Sequence, residues 1–338
     1  MNAEMMTEDD LTKLAESLSG SPVTSIARHH GGGNNRIYRV ETAQGPLALK
    51  QYPQPDSDPR DRMGQEFVAL TFLREHGITS VPRAIAGDPA RRVALYDWVR
   101  GVPVGIGSAP MPGDVDAMID FVDRLTDLAA RDGAAELAPA SAHCFAAAAV
   151  TGQFDARFQR LRPAMRDIAV LKDFLEDELA PRFRTLAKRA AILYENAGIA
   201  FDAVLPLDLR TLSPSDFGFH NMLKHDDRIM FVDFEYFGWD DPVKMISDVL
   251  WHPGSTLDPA LAKQFEQGAT AIFSARDGDG FRQRFDALHP LYGLIWCLIM
   301  LNGFLPERAT GAGEVSALLD RQLGKARAIL ARLDDVGA

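Results

Sequence analysis

Two short apolar runs, Met222–Leu223 and Ile229–Phe234, flank four residues, His225 to Arg228, that favour a turn. The pattern predicts an antiparallel hairpin. With the turn centred on Asp226–Asp227, the numbers of cross-strand partners sum to about 453. Asn221 and Asp233 sum to 454, so such a hairpin makes them near neighbours at its open end. Asp216 lies one short loop upstream of the same end. Two carboxylates and a carboxamide then face one small volume. Oxygen donors of this kind suit Mg²⁺, which takes one or two protein carboxylates and completes its shell with substrate phosphates. The remaining carboxylate can accept a proton from a hydroxyl nucleophile.

The N-terminal part supplies a second pattern. Val23–Arg28, Ile37–Glu41 and Leu47–Lys50 read as strands. Between the first two lies a turn holding Gly31, Gly32, Gly33, Asn34 and Asn35, residues that accept positive φ. Glycines there let backbone N–H groups approach phosphate oxygens closely, and Lys50 can reach the same phosphates. No G-x-x-x-x-G-K-[ST] run occurs, which disfavours a P-loop nucleotide site. Asp58–Leu73 follows as a helix, with Phe67, Leu70, Phe72 and Leu73 apolar and Glu66 near its middle.

In this order the motifs resemble the family of aminoglycoside phosphotransferases and choline kinases. The resemblance runs from Gly31 to Asp248, about two-thirds of the chain. It implies an α+β, bilobal, protein-kinase-like fold, with a small β-rich N-lobe over residues 1–100 and a larger, mostly helical C-lobe over 101–338. It further implies ATP and Mg²⁺. Asp216 becomes the catalytic base, and Asn221 and Asp233 the metal ligands. Gly31–Asn35 covers the phosphates, and Lys50 contacts them while paired with Glu66. Asp97, Trp98 and Val99 become the hinge, where backbone groups bind adenine.

Two details of the catalytic loop need separate treatment. Asp216–Phe217–Gly218 spells the triplet in which protein kinases place a metal ligand, but that reading requires D-x-x-x-x-N upstream, and neither Asp202 nor Asp208 has Asn five residues on. Asp216 is therefore the base and Asp233 the ligand. The missing H-R-D and A-P-E motifs also argue against a protein kinase. The family usually reads His-Gly-Asp here, whereas this chain has Pro214–Ser215–Asp216. Its alternative reading is thus a catalytically weak or inactive nucleotide-binding relative of the same fold, with His220 as a substitute organiser of the loop. Tyr236, Phe237 and Trp239 resemble the aromatic run of choline kinases and are expected to line an acceptor pocket, through cation–π contacts if the acceptor is a quaternary ammonium.

Net charge is −11, which argues against a nucleic-acid surface. Cys144 and Cys297 have no metal-ligand spacing and suggest buried thiols in a reducing compartment. The N-terminus lacks an apolar signal core, and the longest apolar run near the C-terminus, Leu294–Leu301, is less than half a membrane span. The expectation is a cytoplasmic protein with a small hydroxyl-bearing partner and no membrane. That acceptor is an aminoglycoside, choline or ethanolamine, an amino alcohol or a sugar. Helices are expected over 7–19, over Asp167–Asn196 interrupted or bent at Pro181, and over 257–274, 284–303 and 313–333.

Overall fold

A computed structural model describes residues 6–29, 35–54, 58–105, 109–226, 228–254, 257–305 and 312–336. The chain divides into two compact units: residues 1–117, 127–141 and 214–239 in one, and 118–126, 142–213 and 240–338 in the other. Contacts thus group the stretch 214–239 with the N-terminal part, whereas the expected lobes follow chain order.

In the first unit, helix α1 (Glu8–Ser19) starts at a Thr7 cap. Its side chain accepts from Asp10 N, and the Asp10 carboxylate accepts from Thr7 N. Leu11, Leu14 and Ala15 face one core with Val40, Leu49, Val93 and Leu95. Those partners belong to an antiparallel sheet of β1 (Val23–His29), β2 (Arg36–Thr42), β3 (Gly45–Gln51), β4 (Ala84–Asp88) and β5 (Val93–Asp97), in the order β1-β2-β3-β5-β4. Helix α2 spans Arg62–Glu75, four residues later than predicted. Asp61, not Asp58, is the cap and accepts from Gly64 N, because the Asp58 carboxylate is bonded to Arg60 and Arg62 instead.

The hairpin forms with the predicted register. After β6 (Val102–Pro103) come helix α3 (Pro112–Leu128), α4 (Ala147–Leu161), α5 (Ala169–Asp173), α6 (Ala180–Asn196) and the short strand β7 (Thr211–Ser213). Strands β8 (Met222–His225) and β9 (Arg228–Phe231) then pair with Met222 opposite Phe231 and His225 opposite Arg228, numbers that sum to 453. Strand β9 ends three residues earlier than expected, because Asp233 takes a left-handed conformation (φ 68°) that breaks the ladder. Strand β6 pairs with β8, Val102 opposite Lys224. Gly101 permits that approach: it has φ 152°, and a Cβ there would lie 3.0 Å from the Leu223 Cβ and from the Lys224 carbonyl oxygen.

The second unit is helical. Helices α4, α6, α7 (Pro242–Trp251), α8 (Pro259–Asp277) and α10 (Ala312–Val336) pack on α9 (Asp279–Met300). The expected long helix over Asp167–Asn196 is helical without a break from Ala169 onward. A π-helical turn, Phe174–Leu179, joins α5 to α6, and Pro181 sits directly after it, in the first turn of α6. By length and composition, Asp279–Phe304 is apolar enough to cross a membrane, with mean hydropathy 1.4, so the run Leu294–Leu301 alone understates it. Within the protein 78% of that window is buried, which accounts for its apolar character as a packed core helix. Cys144 and Cys297 are buried and free.

Candidate active site

Register decides where Lys50 goes. It is the sixth of seven residues in β3, opposite Ile37 on one side and Ala94 on the other. Glu66 belongs to the stripe Met63, Glu66, Leu70, Leu73 that α2 buries. The Lys50 ammonium donates to Glu66 Oε2 at 2.6 Å and to Asp233 Oδ1 at 2.5 Å, with Glu235 Oε2 at 4.0 Å. Glu66 also accepts from the Tyr52 hydroxyl at 2.6 Å and from Phe234 N at 3.3 Å. One carboxylate thereby links β3, α2 and the loop after β9. Burial alone would lower the Lys50 pKa, but the carboxylates of Asp233, Glu66 and Glu235 hold it well above the ordinary lysine value, so the ammonium stays charged. Burial pushes the Glu66 carboxyl up, opposed by Lys50.

The Asp216 loop is tied at three points. Asp216 N donates to Pro214 O at 2.8 Å. Asn221 Nδ2 donates to the Asp216 carbonyl at 2.9 Å, which turns the amide oxygen of Asn221 the other way. His220 Nε2 lies 2.9 Å from Asp216 Oδ1. A carboxylate only accepts, so Nε2 carries the proton and donates. The residue before Asp216, Ser215, is left-handed (φ 66°), and its hydroxyl donates to Ser141 O at 3.1 Å. Two left-handed non-glycine residues, Ser215 and Asp233, therefore flank the expected chemistry, a form of local strain that clusters at functional sites.

Asn221 and Asp233 come together as the hairpin arithmetic requires: Val232 N donates to Asn221 O at 3.0 Å, so Asp233 is the next residue past that pair. Exposure separates the carboxylates. Asp216 and Asp233 side chains are 33% and 32% exposed, and that of Glu66 is 4%. The oxygens of Glu66, Asp233 and Glu235 lie within 4.8 Å of one another. Asp233 and Asn221, adjacent across the hairpin, offer oxygen donors, which fit a hard divalent cation.

The other expected residues are placed as follows. Gly31, Gly32, Gly33 and Asn34 lie outside the described residues. Asn35 donates through Nδ2 to Glu235 Oε2 at 2.6 Å. In the expected hinge, the Asp97 carboxylate pairs with Arg83 at 3.2 Å, and the Trp98 ring packs against His29 and the Arg39 guanidinium.

The aromatic pocket needs correction. Phe237 and Trp239 are buried at 2% and 6% exposure, and the Trp239 indole N–H donates to Ala134 O at 2.9 Å. A Cβ at Gly238 would collide with the Ala138 carbonyl oxygen, so this run lies directly against residues 138–140. The Tyr236 ring is covered by the guanidiniums of Arg60 and Arg62, 5.1 and 5.0 Å away. Phe237 and Trp239 are packed in the interior, and the cation over Tyr236 is the protein's own.

Arg62 and Glu235 were missed from sequence. Arg62 bonds Glu235 at 2.8 Å and also Asp58, all of them buried. The available signal was spacing: Arg62 precedes Glu66 by one helical turn, and Glu235 follows Asp233 by two residues.

Comparison with solved structures places this geometry in a known fold. Spectinomycin phosphotransferase APH(9)-Ia, in complex with ADP and spectinomycin, superposes with a TM-score of 0.60 at 11% identity, covering 96% of this chain and 99% of that one. Plasmodium vivax ethanolamine kinase gives 0.58 at 13% identity, covering 91% and 84%. Amicoumacin kinase hAmiN, in complex with AMP-PNP, Ca²⁺ and Ami, gives 0.60 at 14% identity, covering 98% and 96%. Identities this low speak for the fold alone, which is protein-kinase-like. No curated protein matches the sequence significantly. A model of the phosphotransferase enzyme family matches residues 25–281, three-quarters of the chain and every described residue of the site above, so the chain belongs to the phosphotransferase enzyme family.

Proposed function

We propose that the protein transfers the γ-phosphoryl group of ATP to a hydroxyl of a small molecule, with Mg²⁺. The observation that carries this reading is Lys50, held between a sealed carboxylate, Glu66, and an open, left-handed one, Asp233. The fixed ammonium can neutralise the α/β-phosphates, and Glu66 keeps it aimed. Asn221 and Asp233 would hold the metal, which would supply positive charge to neutralise the phosphates.

Asp216 takes the proton of the acceptor hydroxyl as that oxygen bonds to the γ-phosphorus. The bond from phosphorus to the β–γ bridging oxygen breaks, and ADP leaves with the electron pair. His220 holds the Asp216 carboxylate, and Asn221 holds its backbone, so the loop is ordered without the usual His-Gly. That favours an active enzyme over an inactive relative. Names of the similar structures include a spectinomycin phosphotransferase and an ethanolamine kinase, which supports a small hydroxyl-bearing acceptor. Aminoglycosides, amino alcohols and sugars are the classes to screen.

The test is ADP release by purified protein with Mg²⁺·ATP across a library of such hydroxyl compounds. At least one acceptor should raise ADP release far above the acceptor-free rate. Asp216→Asn should lower kcat by about three orders of magnitude or more while nucleotide binding, read by calorimetry, changes little. Asp233→Ala should lose Mg²⁺-dependent ATP affinity. An Asp216→Asn enzyme turning over within a few-fold of wild type would sink the mechanism, and a protein that releases no ADP with any acceptor would sink the activity.

A further inference from the structure

The first unit holds a cavity of about 570 Å³ beside residues Asp97–Arg100. None of Lys50, Glu66, Asp216, Asn221 and Asp233 lines it. Its volume is in the range of small-molecule sites, roughly 300–1,000 Å³. Its walls come from the end of α1, the β2–β3 turn, the stretch before β4, residues 97–100 and the tip of the β8–β9 hairpin.

The charge of the lining is the reverse of that of the chain. Arg74, Arg83, Arg100 and Arg228 line the cavity together with His225, and Asp97 is the only carboxylate among the lining residues. Four arginines less one aspartate give a formal charge of +3 here, in a chain of net −11. Asp97 is already paired with Arg83 at 3.2 Å. Arg74 bonds a backbone carbonyl, Thr79 O, at 3.3 Å. Among the described residues no carboxylate pairs with Arg100 or Arg228. Guanidinium groups are weakly hydrated and match carboxylate and phosphate oxygens two at a time, and like charges gathered around one cavity are relieved by an anion within it.

The remaining lining combines the polar Ser19, Ser21, Thr42 and Gln44 with an apolar part, Leu47, Val81, Pro82, Ile85 and Met230. The apolar part adds affinity for an apolar or aromatic body and nothing for a bare inorganic ion. We propose that this cavity is a second ligand site, for a small organic anion with an apolar body and a phosphate or carboxylate head. The cavity stands on its own geometry and does not depend on the phosphotransferase reading.

Isothermal titration of the full-length protein with 1-naphthyl phosphate tests it, alongside inorganic phosphate and three variants. One molecule of 1-naphthyl phosphate should bind per chain, at least tenfold more tightly than inorganic phosphate. Arg100→Glu/Arg228→Glu should weaken it tenfold or more. Arg100→Gln/Arg228→Gln, which keeps these exposed positions polar, should fall between that variant and wild type. Lys50→Met should leave the binding unchanged. No binding to wild type at millimolar ligand, unchanged affinity in the charge-reversed variant, or loss in Lys50→Met, which would put the ligand in the nucleotide site, each overturns the proposal. Equal affinity for inorganic phosphate overturns the organic ligand class.

Discussion

Two lysines in this chain sit buried between carboxylates, and they teach different things. Lys50 bonds Glu66 and Asp233 at 2.6 and 2.5 Å. Lys244 bonds Asp248 at 2.6 Å and approaches Asp240 to 3.3 Å. In both, burial alone would depress the ammonium, and neighbouring carboxylates more than reverse it. The surroundings differ. Asp240 is fully buried and accepts from Cys144 N at 3.1 Å and Asp241 N at 2.9 Å, while Asp248 accepts from the Trp296 indole at 2.9 Å. Lys244 finds both partners one helical turn away, at or next to α7. Lys50 finds its own on a helix and on a loop, and the loop partner is a third exposed with a left-handed backbone. A buried ion pair is weak evidence of anything by itself. The Lys50 cluster differs by leaving one carboxylate open to a ligand.

The comparison is sharpest when each lysine is replaced by methionine, which keeps much of the volume. Lys50→Met should lower kcat/KM by about 10²–10³ or more, the scale for removing a preorganised charge stabiliser. Its melting temperature should fall less than that of Lys244→Met, since Asp233 is a third exposed and can turn to solvent. Lys244→Met strands two buried carboxylates and should cost about 3–5 kcal/mol of stability, with kcat of the folded protein nearly kept. Thermal melts beside steady-state kinetics read both. If Lys244→Met lost activity at unchanged melting temperature, the distinction between the clusters would collapse.

A smaller effect is expected at His220, which acts on Asp216 rather than on substrate. His220→Ala should lower kcat about 10–100-fold with little change in the KM for ATP, since misplacing a reacting group costs on that scale. His220→Gln, which can still donate to the carboxylate, should recover much of the loss. A structural role alone would predict equal defects in both variants, tracking the fall in melting temperature.

The site was legible in sequence wherever local arithmetic decided it. Hairpin register follows from the turn, so Asn221 and Asp233 could be paired from numbering, and the strand carrying Lys50 was bounded by its own turns. The Glu66 partnership was legible through family resemblance and the helix following the strand. What escaped depends on where chain segments meet. Asp58 reads like the first residue of a helix, yet two arginines claim it and Asp61 caps α2 instead. The aromatic run after Asp233 has the composition of a cation cage. Only the close approach of residues 138–140 to Gly238 shows that Phe237 and Trp239 face the interior.

The smallest expected effect extends the comparison to pH. His289 in α9 is buried, with its ring stacked on Trp251 and Phe285 at 5.0 and 4.7 Å and Nδ1 2.9 Å from Ser247 Oγ, on the same helix as Lys244. Burial, aided by the positive charge of Arg332, pushes its pKa down to about 3. The unfolded imidazole titrates near 6.5. Between these values the unfolded chain binds the extra proton, so the stabilisation is whole above pH 6.5 and is lost as pH falls toward 3. Each pH unit in that window costs at most about 1.4 kcal/mol. No comparable loss is expected at Lys50, whose raised pKa keeps it charged throughout this range. Melting temperatures of wild type and His289→Gln at pH 7.5 and pH 5 isolate this group. The glutamine keeps a polar partner for Ser247 and cannot titrate. Wild type should fall by a few degrees more than the variant on acidification, and identical shifts in the two proteins would remove His289 as the sensor.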